Sequence, residues 1–381
     1  MTTTLIPELI PVIGLMSGTS IDAVDAALIM TDGQSFTRTG ITANLPWPDH
    51  IRAAIFAVVD DPSRLENRDD ISALEHDIAQ HHALAVGAIH DQMKSPAALI
   101  GFHGQTVLHK PEQGYSVQLG SGETLAHITG CPVIYQFRQN DLHHGGQGAP
   151  LAPVYHAALL KQMQISAPAA IVNIGGIANI TAITDKQMIS MDTGPGNAMM
   201  DRMMQTYRQQ PFDHDGQTAA AGQCDGDYVN TVLAHDWFHL PPPKSLDRVI
   251  TEQMLSSGQL DTWLNTMPLA DAMASLAEIT ARSIYMSCLH LPQLPEQMIL
   301  AGGGARNRYL VDRISHHMNS TANIDVHIMD DYHINGDFIE AELMAFLAAR
   351  SQNGYPISFP DTTGVDIPRS GGVRIDPVNP V

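Results

Sequence analysis

A short pattern occurs twice in this chain and restricts its architecture more than any other feature. Residues 12–16 are apolar and end in Ser17-Gly18-Thr19-Ser20, and a second apolar run, 24–30, returns after only a few residues. Ala169–Ile174 is again apolar, turns at Gly175-Gly176 and returns as Ile177–Ile183. Apolar runs this short, bounded by turn residues, read as buried strands. Further strands follow in each half, at 97–102 and 132–137 in the first and at 188–191 and 298–300 in the second. Helices alternate with them. In 71–93, residues Ile71, Leu74, Ile78, Val86, Ile89 and Met93 fall near one face, and 270–289 and 338–350 also carry helical patterns. Prolines make 240–244 a loop. The expectation is an α/β protein of two similar units facing each other across a cleft, with one glycine turn on each wall. Pattern alone leaves open two unrelated hairpins.

The length, 381 residues, suits two domains, each with its own core. Acidic residues number 40 against 20 Lys and Arg, a formal charge of −20. Such a surface repels phosphate backbones and anionic lipid, so nucleic acid and membrane are not expected partners. Any phosphate must be held locally, by backbone N–H groups, a metal ion or a few placed cations. Cys131, Cys224 and Cys288 show neither disulfide nor metal-ligand spacing, as in a reducing cytosol. No apolar stretch is long enough to span a membrane, and the first residues, MTTTLIPELIPVIGLM, lack the basic start and apolar run of a signal peptide. A cytoplasmic location is expected.

Five glycine-containing runs bear on chemistry: GLMSGTSIDAVD (14–25), HHGGQGAP (143–150), NIGGIANIT (173–181), DTGPGN (192–197) and AGGGARN (301–307). Glycine lets backbone N–H groups approach a phosphate closely, and the hydroxyls of Thr19 and Ser20 add donors. The P-loop, the dinucleotide fingerprint, protein-kinase signatures and the nucleophile elbow are absent; Lys244-Ser245 follows prolines instead of a glycine loop. The pairs His81-His82, His143-His144 and His316-His317 do not make a metal site, because adjacent side chains cannot converge on one ion without distant partners.

Together with GFHGQTV (101–107) and QFRQNDLHHGGQGAPLAP (136–153), these runs resemble, in order, the motifs of the anhydro-N-acetylmuramic acid kinase family, within the actin/hexokinase/sugar-kinase superfamily. The resemblance covers nearly the whole chain. It implies a two-domain actin/hexokinase-like ATPase fold with a central interdomain cleft. The first lobe would span 11–150, joined by 351–381, and the second 151–350, with the 338–350 helix crossing at a hinge. Small residues Ala341 and Ala345 suit close helix contact there, and an ordinary amphipathic helix fits equally well. Carried over by motif, Gly18, Thr19, Ser20, Asp22 and Asp25 form a first phosphate loop, and Asn173, Gly175 and Gly176 a second. Gly302, Gly303 and Gly304, with Arg306 and Asn307, lie against adenosine. His103, Gln105, Arg138, Asp141, Gly194 and Asn197 belong to the sugar side. Two positions depart from wider usage. Met16 stands where the superfamily usually has aspartate, which obscures the metal ligand, and Ala23 where many relatives have glycine, a change without cost unless φ is positive.

Asp192 is the expected general base, since a carboxylate at a strand end before a glycine turn can project into a cleft; the alternative is a cap for the helix beginning near Asn197. A 1,6-anhydro sugar has no free hydroxyl at O6. The resemblance therefore implies that Asp192 takes a proton from a water attacking C1, while O6 leaves and accepts the γ-phosphoryl group of ATP. The product is N-acetylmuramic acid 6-phosphate, in bacterial cell-wall recycling. Arg138 pairs with the lactyl carboxylate or a γ-phosphate, and Asp141 accepts from a sugar hydroxyl or holds Arg138; a structural ion pair is the alternative. His103 faces the sugar or is a core histidine, and Asp22 and Asp25 touch metal-bound water or cap their loop. Mg²⁺ follows from the chemistry of ATP, its ligands unknown, and a homodimer from the family. Other readings on this fold are a kinase for another hexose or amino sugar and an ATP-gated binding protein.

Overall fold

The computed structural model describes residues 8–18, 20–246, 263, 266–321 and 323–378. Its contacts divide the chain into two compact units, Met1–Ala158 with Phe338–Val381, and Leu159–Asp337.

In the first unit, β1 (Ile10–Ser17), β2 (Ala23–Thr31) and β3 (Phe36–Pro46) form an antiparallel meander. On its other edge β1 pairs in parallel with β4 (Leu99–Lys110), and β4 with β6 (Val133–Tyr135). A further strand, β5 (Tyr115–Leu119), folds back on β4. Side chains alternate across a strand, and the two faces differ sharply. Ile13, Leu15, Ile100 and Phe102 join Ile78, Val86 and Ile89 of the Arg68–His90 helix in one core. On the opposite face β1 and β4 present Gly14 and Gly101. A Cβ at Gly14 would run into the carbonyl oxygen of Ala341, and one at Gly101 into that of Met344.

The helix Ile339–Gln352 therefore rests on the strands at backbone contact, and Ala341–Ala349 are all buried. This decides between the two sequence readings of that helix: it has no polar face and is not amphipathic. The sequence places the helix in a second lobe reaching 350; by its contacts it groups with the first unit, where strand glycines admit it at backbone distance. Within the same unit it buries Glu342, whose carboxylate accepts from Arg38 Nε at 2.8 Å and from the Tyr155 hydroxyl at 2.6 Å.

The second unit repeats the plan. Strands β7 (Ala169–Ile174), β8 (Ile177–Ile183) and β9 (Met188–Pro195) form an antiparallel meander, and β7 pairs in parallel with β10 (Gln297–Ala301), which pairs in parallel with β11 (Asp325–Ile328). The order β9-β8-β7-β10-β11 matches β3-β2-β1-β4-β6 in sequence and in strand sense. Agreement over five strands and four pairings rules out two unrelated hairpins. Val172, Ile174, Ile180 and Met191 pack with Leu276 and Ile284 of the Leu269–Cys288 helix to form its core.

Candidate active site

Three glycine turns of the second unit converge at one corner of its sheet. Asn173, the penultimate residue of β7, stands opposite Ala301 at the end of β10, so the turn after β7 and the run after β10 leave side by side. Asn197 N–H donates to the Gly175 carbonyl at 2.7 Å, and Gly196 N–H to that of Gly176 at 2.9 Å, which ties the end of β9 to the same turn. Gly302 adopts φ +80° with Asn173 and the Ile174 backbone against its Cα, a place no side chain can take. Asn173, Gly175, Gly176, Asn197 and Gly302–Gly304 are thus brought together, whereas Gly194 packs against Ser283 and Phe238. Asn307 is also a helix cap, its side-chain oxygen accepting from Leu310 N–H at 3.0 Å at the start of the Arg308–Thr321 helix. A small hollow lined by Ala301, Gly302, Met329, Asp330 and Gly336 opens beside Arg306, whose guanidinium is bonded to both oxygens of Asp337.

Asp192 lies in β9, which runs on to Pro195, beyond the apolar 188–191 stretch, because β8 continues to pair with it. The cap alternative does not hold: the Ala198–Arg208 helix has Asn197 at its N-cap, and the Asp192 carboxylate bonds elsewhere. Its Oδ2 accepts from Leu246 N–H at 2.7 Å, and Oδ1 has no hydrogen bond among the described residues. Though partly accessible, the carboxyl is crowded by protein. Burial pushes its pKa up to about 6, while the Leu246 N–H and the charge of Lys244 act downward.

In the first unit the phosphate-loop candidates follow β1. Asp22 caps its own loop, its Oδ1 accepting from Ser20 Oγ at 2.8 Å and Ala23 N–H at 2.9 Å, and Ala23 avoids positive φ, so alanine there carries no strain. Thr19 lies outside the described residues. Met16 pairs with Asp25 across the β1–β2 ladder. Directly opposed residues present their side chains to one face, so Asp25 puts a carboxylate beside the position where Met16 lacks one.

Two sugar-side assignments require correction. Gln105 is fully buried; its oxygen accepts from Ser17 Oγ at 2.6 Å and its amide donates to the Gly18 carbonyl at 3.2 Å, so it braces the loop instead of facing a ligand. Asp141, also buried, accepts from Gly148 N–H at 2.6 Å and Thr363 Oγ1 at 2.7 Å. It holds Arg138 at one remove, because Arg138 donates to the Gly148 carbonyl at 2.9 Å; no direct ion pair forms. The other guanidinium nitrogen lies 3.0 Å from His103 Nε2, which must accept, so the proton sits on Nδ1 and is donated to the Gly104 carbonyl at 2.8 Å. Burial, then the charge of Arg138, pushes the His103 pKa down to about 3. His103 is thus a neutral, buried histidine that orients Arg138.

Two residues escaped the sequence reading. Lys244 is buried beneath the Asp192 segment, and Glu340 stands at the start of the 339–352 helix. The surface of Glu340 is open, yet its carboxyl is crowded; desolvation first, and then the charge of Asp25, raises its pKa, against Arg138. Both Lys244 and Glu340 owe their positions to partners distant in sequence, which no local motif records.

The duplicated sheets and their glycine turns place the protein in the actin/hexokinase-like class of α/β folds. The chain belongs to the anhydro-N-acetylmuramic acid kinase family, whose profile matches residues 10–376. It is 39% identical over 381 residues to the anhydro-N-acetylmuramic acid kinase of Brucella canis, covering 97% of this chain and 100% of that one. To the enzyme of the same name from Rhodopseudomonas palustris it is 41% identical over 368 residues, covering 94% and 98%. Among solved structures, a ROK family glucokinase from Streptomyces griseus in complex with glucose and AMPPNP covers 89% of this chain and 99% of its own at 12% identity. Its TM-score of 0.42 is too low to bear on the site.

Proposed function

We propose that this protein is an ATP-dependent kinase that hydrolytically opens 1,6-anhydro-N-acetylmuramic acid and phosphorylates O6. The products are N-acetylmuramic acid 6-phosphate and ADP, in recycling of cell-wall fragments. The observation that carries the chemistry is Asp192: one oxygen is fixed by Leu246 N–H, the other is open among the described residues, and the pKa lies at about 6. A general base works best with its pKa near the operating pH. In the proposed step, Oδ1 takes a proton from a water whose oxygen bonds to C1. The C1–O6 bond breaks, O6 bonds to the γ-phosphorus, and the bridge to ADP breaks. One water is consumed per ATP.

Gly18, Thr19, Ser20, Asp22 and Asp25, with Asn173, Gly175 and Gly176, are assigned to the phosphates, and Gly302–Gly304 with Asn307 to adenosine. Arg138, kept cationic though burial lowers its pKa to about 10, offsets charge on the γ-phosphoryl or lactyl carboxylate, oriented by His103 and the Gly148 carbonyl. Gly194 and Asn197 border the sugar. Asp25 and Glu340, whose like charges repel, suit a divalent cation, which takes one or two carboxylates and keeps several waters. Bound there, Mg²⁺ would neutralise phosphate charge. The same reading includes a cytoplasmic location, for which ATP supply argues, and a homodimer. Among the described residues no helix is long and apolar enough to cross a membrane.

The pH dependence tests this assignment. Only the carboxylate form of Asp192 accepts a proton, so kcat/KM should fall tenfold per pH unit below a midpoint near the value of about 6. A stopped-time assay from pH 4.5 to 8 reads the limb. A profile flat through pH 5 would remove Asp192 from the role.

A further inference from the structure

Lys244 follows three prolines and is 7% exposed, a strongly hydrated ammonium taken almost wholly out of water. Among the described residues no carboxylate lies within ion-pair distance of it. Its Nζ donates to the carbonyls of Phe238 at 3.1 Å and Trp237 at 3.4 Å, and stands 4.4 Å from the centre of the Trp237 ring. Burying a cation is costly unless it is hydrogen-bonded and its charge finds a partner. Here two carbonyl dipoles and an aromatic face meet that need.

The backbone around Lys244 is joined to Asp192 at both ends. Asp192 N–H donates to the Lys244 carbonyl at 3.0 Å, and Leu246 N–H donates to Asp192 Oδ2 at 2.7 Å. Between them the Ser245 carbonyl accepts from Trp237 Nε1 at 3.1 Å. The 244–246 segment therefore straps the carboxylate, and the strap is anchored to the 236–239 turn by Lys244 on one side and Trp237 on the other. We infer that Lys244 is a positioning residue for the proposed base: its buried ammonium pins the strap so that one oxygen of Asp192 is held and the other stays open. This inference rests on the reading of Asp192 as base.

Lys244 is also the charge that reaches the carboxyl, lowering its pKa, while burial and the charge of Asp192 set its own at about 8. The other groups around β9 do not supply this. Asn179 stands opposite Asp192 on β8, and Ser283 of the 269–288 helix crowds Gly194. That helix's Asp271 is bonded to Gln223, its Glu278 to Arg313 and His317, and its Arg282 to Asn230. Asp201, on the helix after β9, is perturbed by burial alone.

The test compares Lys244→Met, Lys244→Gln and Lys244→Arg with Asp192→Asn in full pH profiles of kcat and kcat/KM, with thermal melting to confirm folding. Lys244→Met should lower kcat on the order of tenfold through misplacement of the carboxylate, with KM for both substrates nearly unchanged. Its acidic limb should move up by about one pH unit, as expected on removing a nearby opposite charge. Lys244→Gln should move the limb in the same direction, and Lys244→Arg should restore its position. Trp237→Phe, which frees the Ser245 carbonyl and weakens the cation's seat, should give a smaller shift of the same sign, and it carries the test should Lys244→Met not fold. Limbs unmoved in folded Lys244→Gln and Trp237→Phe, beside an inactive Asp192→Asn, would overturn the inference and leave the base assignment standing. A fully active Asp192→Asn would overturn the base assignment itself.

Discussion

Replacing Asp192 by Asn should lower kcat by about 10²–10⁴-fold, the usual cost of losing a general base, while leaving the protein folded and able to bind ATP. Asn keeps the shape and still offers an oxygen to Leu246 N–H, so the bond that fixes the side chain at 2.7 Å can persist. What is lost is proton affinity on the open oxygen. Burial that raises the carboxyl pKa to about 6 should also make the neutral amide easier to accommodate than the charge it replaces. Asp192→Asn is therefore expected to melt no lower than the parent. Steady-state turnover with each substrate varied, beside calorimetric binding of ATP, separates the outcomes. Near-parental kcat in the folded variant would refute the assignment; lost ATP binding would point to a structural role.

The second large effect is on stability. Glu342 is 3% exposed and its two oxygens are taken by Arg38 and Tyr155, the latter fully buried. Breaking a buried pair by removing one partner leaves an uncompensated group and costs about 3–5 kcal/mol. Glu342→Ala should destabilise the protein by that amount, since it strands the Tyr155 hydroxyl and the Arg38 guanidinium and leaves a cavity between them and the 339–352 helix. The triple variant Arg38→Met, Tyr155→Phe and Glu342→Leu should recover most of the loss, because an apolar replacement of all three partners removes the desolvation cost and strands no hydroxyl. Denaturant unfolding followed by tryptophan fluorescence and circular dichroism measures both. A loss under about 1 kcal/mol for Glu342→Ala would class the pair with solvent-screened surface bridges.

Much of the scaffold was legible because apolar runs and glycine turns are local signals. Ala169–Ile174 and Ile177–Ile183 are strands over the expected residues, and the duplicated hairpins proved to be duplicated sheets. Strand β3 went unread because Thr, Arg and Asn fill a half-exposed strand that lacks a continuous apolar run. Strand β4 runs past residue 102 because β5 supplies a partner, a non-local cause.

Site residues divide along the same line. Asp192 stands out locally as a carboxylate between an apolar run and a glycine turn. Membership of a motif does not say where a side chain points, and Gln105 and Asp141, chosen for the sugar, turned out to be buried and bonded to the loops beside them. Lys244 resembled a loop residue after prolines, since the strap it anchors meets Asp192 across more than fifty residues of sequence. Glu340 appeared to be an ordinary first-turn acid until the fold set it near Asp25 and Arg138.

The central claim is that one event consumes a water at C1 and transfers phosphate to O6. The purified protein incubated with Mg²⁺, ATP and 1,6-anhydro-N-acetylmuramic acid in ¹⁸O-labelled water, with the product weighed before its anomeric oxygen exchanges, tests it most directly. The account predicts a sugar 6-phosphate carrying one heavy oxygen at C1, formed one for one with ADP. An intact anhydro ring with ATP consumed on another sugar, or an unlabelled 6-phosphate, would contradict it.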